Sequence, residues 1–382
     1  MNSHKPPSEA GYDSKKEFAR FFATLSQVFP LWLVVLIAIC SGLLLPVLAK
    51  FKSMSARDRI VIVYIAQDQV YAEPILKEFE KETGIKVKAV YDSEAVKTVG
   101  LANRLLAERD HPQCDVFWGN EELRTHQLAA QHVFRETNGW AAFGYRSRRI
   151  VINTTFVAAG GSPAVEGGIL PPGSSSGTSP ASITPDAVPS GGTPGSTAGK
   201  MPAATTLIGL TNDVWRGKVA LAYPLFGTTA THFLALRQHW GDERWENWCR
   251  ALHANKPFLV DGNSVVAKLV GKGEAWIGLT DSDDIAAERR NGAPVVAAPV
   301  TEESLLIPNT VGVTRGAPHP EAAQKLFDYL QQPEVVQKLV AVSALEGGSI
   351  QSVAVATLKP DWEKLVGDLD EGTATLKGIF LR

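Results

Sequence analysis

The sequence predicts an α/β fold in two units, each a mainly parallel sheet flanked by helices, with one hydrophobic helix ahead of them. Short apolar runs of strand length alternate with stretches of helical period, first over residues 59–131 and again after residue 206. A Gly/Pro/Ser/Thr-rich stretch interrupts the two series. A chain of 382 residues, 45% apolar and 20% charged, also has the length and composition for two globular cores.

Residues 31–49 carry no charge, and as a helix they would cover roughly 28 Å, close to the hydrocarbon thickness of a bilayer. Lys15, Lys16 and Arg20 precede them, and by charge bias they hold residues 1–30 in the cytoplasm as a polar leader. The remainder is expected outside the cytoplasm. It would be tethered by this segment, or released by cleavage near Val47-Leu48-Ala49.

Ile60-Val61-Ile62-Val63 marks a first strand, residues 59–65. A helix is predicted over residues 72–82, with Pro74 in its first turn and Gly84 as its stop. A strand at 85–91, a helix at 95–109, a strand at 115–118 and a helix at 122–131 follow, and this order means a parallel sheet covered by helices. About two thirds of residues 160–206 are Gly, Pro, Ser or Thr, too little apolar surface to offset chain ordering. This stretch reads as a disordered surface insertion, tolerable because closing a loop costs only about 0.6 kcal/mol more per doubling of its length. Beyond it, strands are predicted at 218–222 and 275–279. Helices are predicted at 229–239, 242–254 and 264–272, and another is capped by Asp281-Ser282-Asp283-Asp284. Residues 294–300 and 304–313 read as extended, and 320–332 and 333–341 as helices.

Lys plus Arg number 38 against 40 Asp plus Glu, so no basic excess exists to cover phosphates and no nucleic-acid partner is expected. Three cysteines build no disulfide framework or zinc site, and Cys114 and Cys249 stand too far apart to suggest a mutual bond. Gly173-Ser174-Ser175-Ser176-Gly177 matches a nucleophile elbow in letters, but no strand precedes it and no helix follows. Trp240, Trp245 and Trp248 read as packing, and His126 and His132 as solvent-facing.

In open α/β sheets a ligand sits beyond the carboxyl ends of the strands, where loops turn into helix N-termini. Those loops offer Gln67, Asp68, Ser93, Glu94, Asn120 and Glu121 in the first unit. The second offers Thr228, Thr229, His232, Asn263, Ser264, Asp281, Asp283 and Asp284. Hydroxyls and carboxylates dominate, which suits hydroxylated solutes or a hard cation in an oxygen shell. Asp68, Asp283 and Asp284 are the candidate metal ligands. Helix capping is the competing role for Asp281, Asp283, Thr228, Thr229, Ser93 and Glu94. No Ser–His–Asp or Cys–His constellation can be assigned, so no enzyme is expected; a lyase or hydrolase using cleft carboxylates is the remote alternative.

Several ordered motifs resemble the substrate-binding proteins of bacterial ABC importers, specifically the iron(III)-type branch of the two-lobed periplasmic binding proteins. They include Val63-Tyr64-Ile65-Ala66-Gln67-Asp68-Gln69, Asp115-Val116-Phe117-Trp118-Gly119-Asn120-Glu121 and Pro224-Leu225-Phe226-Gly227-Thr228-Thr229. Asp261-Gly262-Asn263-Ser264, Gly278-Leu279-Thr280-Asp281-Ser282-Asp283-Asp284 and Ile307-Pro308-Asn309-Thr310-Val311 continue the series, which runs over residues 60–343 apart from the insertion. The resemblance implies a type 2 periplasmic-binding-protein-like fold. Its first lobe would be residues 59–150, with a crossing strand at 151–159 and a second lobe at 207–294. A return strand would complete lobe 1 over 295–345, leaving 346–382 as a C-terminal segment. It further implies a monomer that clamps a solute between the lobes and delivers it to an ABC permease and its ATPase. No cofactor is implied; iron(III) enters only as cargo. Ferric-binding members use adjacent tyrosines where this chain has Asp283-Asp284, so the cargo is either iron(III) or an oxygen-rich anion such as a phosphorylated sugar. Thr228 and Thr229 match the helix start where relatives hold an anion. A membrane-tethered solute sensor is the alternative to an importer component.

Overall fold

Eleven helices and nine strands follow the alternation that the apolar runs predict, among the residues described by this computed structural model: 59–91, 97–157 and 206–381. In the first half β1 (Ile60–Ile65), α1 (Gln69–Thr83), β2 (Lys86–Tyr91), α2 (Lys97–Ala107), β3 (Val116–Gly119), α3 (Glu122–Ala130) and β4 (Trp140–Asn153) run in order. The second half opens with two 3-10 turns and continues through β5 (Val219–Ala222), α4 (Gly227–Trp240), α5 (Asp242–Ala254), β6 (Phe258–Val260), α6 (Asn263–Lys272) and β7 (Ile277–Asp281). It then runs through α7 (Ser282–Arg290), β8 (Val295–Ala297), β9 (Leu306–Val313), α8 (Pro320–Leu330), α9 (Pro333–Ala341), α10 (Trp362–Gly367) and α11 (Leu369–Phe380). The expected leader and membrane segment, the 160–206 insertion up to residue 205, and Ser93 and Glu94 lie outside the described residues. Among the described residues no helix is long and apolar enough to cross a membrane.

The strand order is β2-β1-β3-β9-β4-β7-β5-β6, with β8 also on β4. β1 pairs in parallel with β2 and β3, and β5 in parallel with β6 and β7. Two parallel half-sheets are thus joined through antiparallel β9 and β4. β4 belongs to both. Its first half pairs with β9, ending at Ser147↔Leu306, and its second half pairs with β7, starting at Arg148↔Asp281. β9 returns from the second half of the chain to lie antiparallel beside β3.

The crossing strand is therefore residues 140–153, not 151–159. It ends where the Asn153 side chain accepts the Thr155 N–H (2.9 Å), an Asx turn that draws the chain out of the ladder. Three arginines hid this strand from an apolar-run reading, yet the ladder on both sides buries Arg146 and Arg148. α1 starts at Gln69 rather than residue 72, which leaves Pro74 inside the helix and not in its first turn.

A bulge between Phe143 and Arg146 bends β4 just before the handover. Gly144 sits there at φ +57°, and a Cβ on it would lie 2.4 Å from Leu345 Cδ1. The left-handed conformation alone costs a substituted residue about 1–2 kcal/mol. Gly144→Ala should therefore lower the urea midpoint by at least that equivalent, and an unchanged midpoint would show that the bulge relaxes freely.

Buried side chains form separate clusters, and the larger one takes in Leu123 of α3 and Ile307 of β9 as well as residues of the second lobe. Tyr64, Leu101, Leu105, Phe117, Leu128 and Phe134 cluster in the first. In the second, Phe233, Trp245 and Trp248 pack with Leu365, Leu376 and Phe380 of the C-terminal segment. Trp240 meets Trp248 edge-on at 5.3 Å, so the tryptophans are packing residues, as their spacing suggests. His126 is only half-exposed: its ring stacks on Trp362 (5.0 Å) and meets the edge of Trp140 (4.9 Å). Cys114 and Cys249 are both free and buried.

Candidate functional site at the interlobe seam

Five of the parallel strands end in turns that start helices: β1 into α1, β3 into α3, β5 into α4, β6 into α6 and β7 into α7. Because the half-sheets share β4, these turns face one another near Arg146-Ser147-Arg148. Most of the sequence-predicted residues are brought to this seam.

Asp281, the last residue of β7, lies at its centre. Its carboxylate accepts from Arg148 Nη1 (2.6 Å) and from Thr228 Oγ1 (2.8 Å to Oδ2). Arg148 Nη1 also donates to Asn263 Oδ1 (2.8 Å), Asn263 Nδ2 donates to Thr228 Oγ1 (2.9 Å), and Thr229 Oγ1 donates to Asn263 Oδ1 (3.1 Å). Thr228, Thr229, Asn263 and Asp281 thus form one closed network around a guanidinium that is fully buried. The hydroxyls at the start of α4 donate inward, to the network and not out of it.

Arg146, two residues earlier on the same face of β4, makes looser contacts. Nη2 donates to the Asn120 carbonyl (2.9 Å) and Nη1 to Asn309 Oδ1 (3.3 Å). Nε lies 3.4 Å from Asp281 and 3.5 Å from Asp283. Asn309 in turn donates to the buried Gln67 Oε1 (3.0 Å). Gln67, Asn120 and Asp281 are thereby linked across the seam through Arg146 and Asn309.

Oxygens of Asp281, Asp283 and Asp284 lie within 4.8 Å of one another, a grouping able to hold a metal ion. Asp284 also accepts from Thr280 Oγ1 (3.2 Å). Asp283 is 6% exposed, and its Oδ1 accepts no hydrogen bond. Burial would raise Asp281, but the Arg148 and Arg146 guanidiniums and the donors on its carboxylate hold it below the usual carboxylate range. Burial pushes Asp283 up to about 7 against the pull of Arg146, with Asp281 and Asp68 adding repulsion. Burial and then Asp283 push Asp284 well above the ordinary value.

The remaining candidates are placed differently. Asp68 stands at the N-cap of α1 without a side-chain capping bond, and Ser264 lies in the first turn of α6. Glu121 is turned inward. It caps α3 through Leu123 N–H and Arg124 N–H (2.7 and 3.1 Å) and accepts from Thr231 Oγ1 of α4 (3.1 Å), so it ties the lobes together by a direct bond. His232 lies on α4, not in a loop; it is buried with Nε2 2.8 Å from the Glu303 carbonyl. Burial and the nearby Arg148 push it down to about 3, which keeps it neutral.

Loop reading misses Arg146, Arg148 and Asn309, because all three lie inside strands. The signal available for the first two is a cationic run, Arg146-Ser147-Arg148-Arg149, leading straight into Ile150-Val151-Ile152. Charges at the mouth of a buried strand need buried partners.

Residues 61–341 match the sequence model of a family described as bacterial extracellular solute-binding protein. Among curated proteins, an uncharacterized protein of Haemophilus influenzae is 28% identical over 126 residues. That stretch is 33% of this chain and spans only about a third (36%) of the relative's length. Among solved structures, iron-bound HitA from Pseudomonas aeruginosa is 17% identical, with 84% of this chain and 99% of that one covered and a TM-score of 0.62. AfuA from Actinobacillus pleuropneumoniae, solved with exogenous fructose-6-phosphate bound, is 16% identical over 84% and 98% of the two chains, with a TM-score of 0.64. Apo ferric ion-binding protein A of Pasteurella haemolytica is 16% identical over the same shares, with a TM-score of 0.62.

Proposed function

The chain belongs to the bacterial extracellular solute-binding proteins, and from that premise we propose that it captures a small solute at the seam of its lobes and delivers it to an ABC permease and ATPase. The family and its structural neighbours are binding proteins rather than enzymes, and no cofactor is called for. Capture takes place outside the cytoplasm. Closure of two lobes hinged at β4 supplies the mechanism, since a ligand stabilises the closed state only by contacts the open state lacks.

One observation carries the choice of cargo: the carboxylates of Asp281, Asp283 and Asp284 converge, and Asp68 adds a fourth charge from the facing lobe. Converging hard oxygen ligands suit a hard cation, and iron(III) is the first reading. Asp283 and Asp284 are the direct ligands, with Asp68 as the candidate ligand from lobe 1. Gln67, Asn120, Asn263, Thr228 and Thr229 support the site through the hydrogen-bond network.

A second reading, an oxygen-rich anion such as a phosphorylated sugar, is favoured by two buried arginines and by the N-terminus of α4. Against it, Arg148 and the two threonines are already engaged with Asp281 and Asn263. Thermal shift of the purified protein separates the two. Ferric citrate should raise the melting temperature while hexose phosphates leave it unmoved; a ligand at a hundred times its dissociation constant adds about 2.7 kcal/mol. The opposite pattern selects the anion, and no shift with either removes both.

A further inference from the structure

Two arginines point from one face of β4 into the same acidic seam, but they are held differently. Arg148 is fixed by two short bonds, 2.6 Å to Asp281 and 2.8 Å to Asn263, and its side chain is fully buried. Arg146 is equally out of solvent, yet its Nε stands 3.4 and 3.5 Å from Asp281 and Asp283, beyond good hydrogen-bond length. Its firm bond, 2.9 Å, goes to the Asn120 carbonyl on the first lobe. Asp283 Oδ1, the atom facing this guanidinium, accepts no hydrogen bond although its residue is 94% buried. A buried carboxylate oxygen without a hydrogen bond is unfavourable, and the guanidinium 3.5 Å away is the charge that offsets it.

We propose that Arg146 is a built-in counter-cation: its guanidinium stands in for the ligand between Asp281 and Asp283, and a ligand cation must displace it from Asp283 to bind. It rests on the cation reading of the seam. Arg146 occupies the space between the carboxylates of Asp281 and Asp283, so the cleft favours cations of high charge and excludes those too weak to compete. Arg146 is then a specificity-determining residue, and its bonds to the Asn120 carbonyl and Asn309 are where it swings from.

Lanthanum(III) and calcium(II), similar in size and different in charge, are the probes. Calorimetry on the whole protein should show lanthanum binding by the wild type with calcium undetected. Arg146→Gln should bind lanthanum at least tenfold more tightly and bring calcium into the measurable range, and Arg146→Lys should restore wild-type discrimination. Equal affinities in wild type and Arg146→Gln overturn the role of Arg146 and leave the cation site standing. Absence of lanthanum binding in every variant overturns the cation site and this role with it. Binding by Arg146→Gln alone supports the proposal in its strongest form. If Arg146→Gln does not fold, the nitrogen-15 spectrum of the wild type decides: the Arg146 Nε–H signal should shift on adding lanthanum while that of Arg148 stays. An unmoved Arg146 signal with metal bound overturns the proposal.

Discussion

Asp281→Ala is expected to destabilise the protein by about 3–5 kcal/mol, because it leaves Arg148, and in part Arg146, as buried charges without a counter-charge. Removing one partner of a buried pair costs more than the pair contributes, since desolvation of the survivor is no longer offset. Thr228 Oγ1 and Asn263 lose an acceptor in the same change. Urea unfolding followed by tryptophan fluorescence reads the loss, and a change under 1 kcal/mol would mean that water reaches Arg148 and the seam is open. The same pair sets an acid limit. The two guanidiniums hold Asp281 below its unfolded value of 3.8, so its contribution is complete above that pH and disappears as pH falls through the lower folded value. Asp281→Asn should flatten the acid limb of the stability curve while leaving neutral pH less stable.

Replacing Asp283 and Asp284 together by alanine should have the opposite balance: a large effect on binding and little on folding. Burial already pushes both carboxyls up, so their charge is a burden to the ligand-free protein. Affinity for the cargo should fall more than tenfold, at least about 1.4 kcal/mol, with a smaller loss of stability than Asp281→Ala causes, since Arg146 keeps Asp281 as a counter-charge. The comparison is made with whichever probe stabilises the wild type. Unchanged affinity would move the binding site away from the start of α7, and a collapse in stability would make the pair structural. The two substitutions thus separate residues that are neighbours in sequence: Asp281 holds the seam together, and Asp283-Asp284 wait in it.

The amino-acid sequence by itself determined the alternation of strands and helices in two units and the short roster of loop residues at the strand ends. Those properties are local: a buried strand announces itself within five or six residues, as Ile60-Val61-Ile62-Val63 does, and a helix start within a turn. Asp281, Asp283, Thr228 and Asn263 could be named because strand ends in such sheets are where helix N-termini open. Only the tertiary structure decided that β4 starts at Trp140, that Arg148 meets Asp281 across 133 residues of chain, and that Arg146 stands between the acids. That meeting is set by antiparallel register, Arg148 opposite Asp281, and a shift of one residue would turn both arginines to the other face. Register depends on the packing of whole lobes, which no local window of sequence contains.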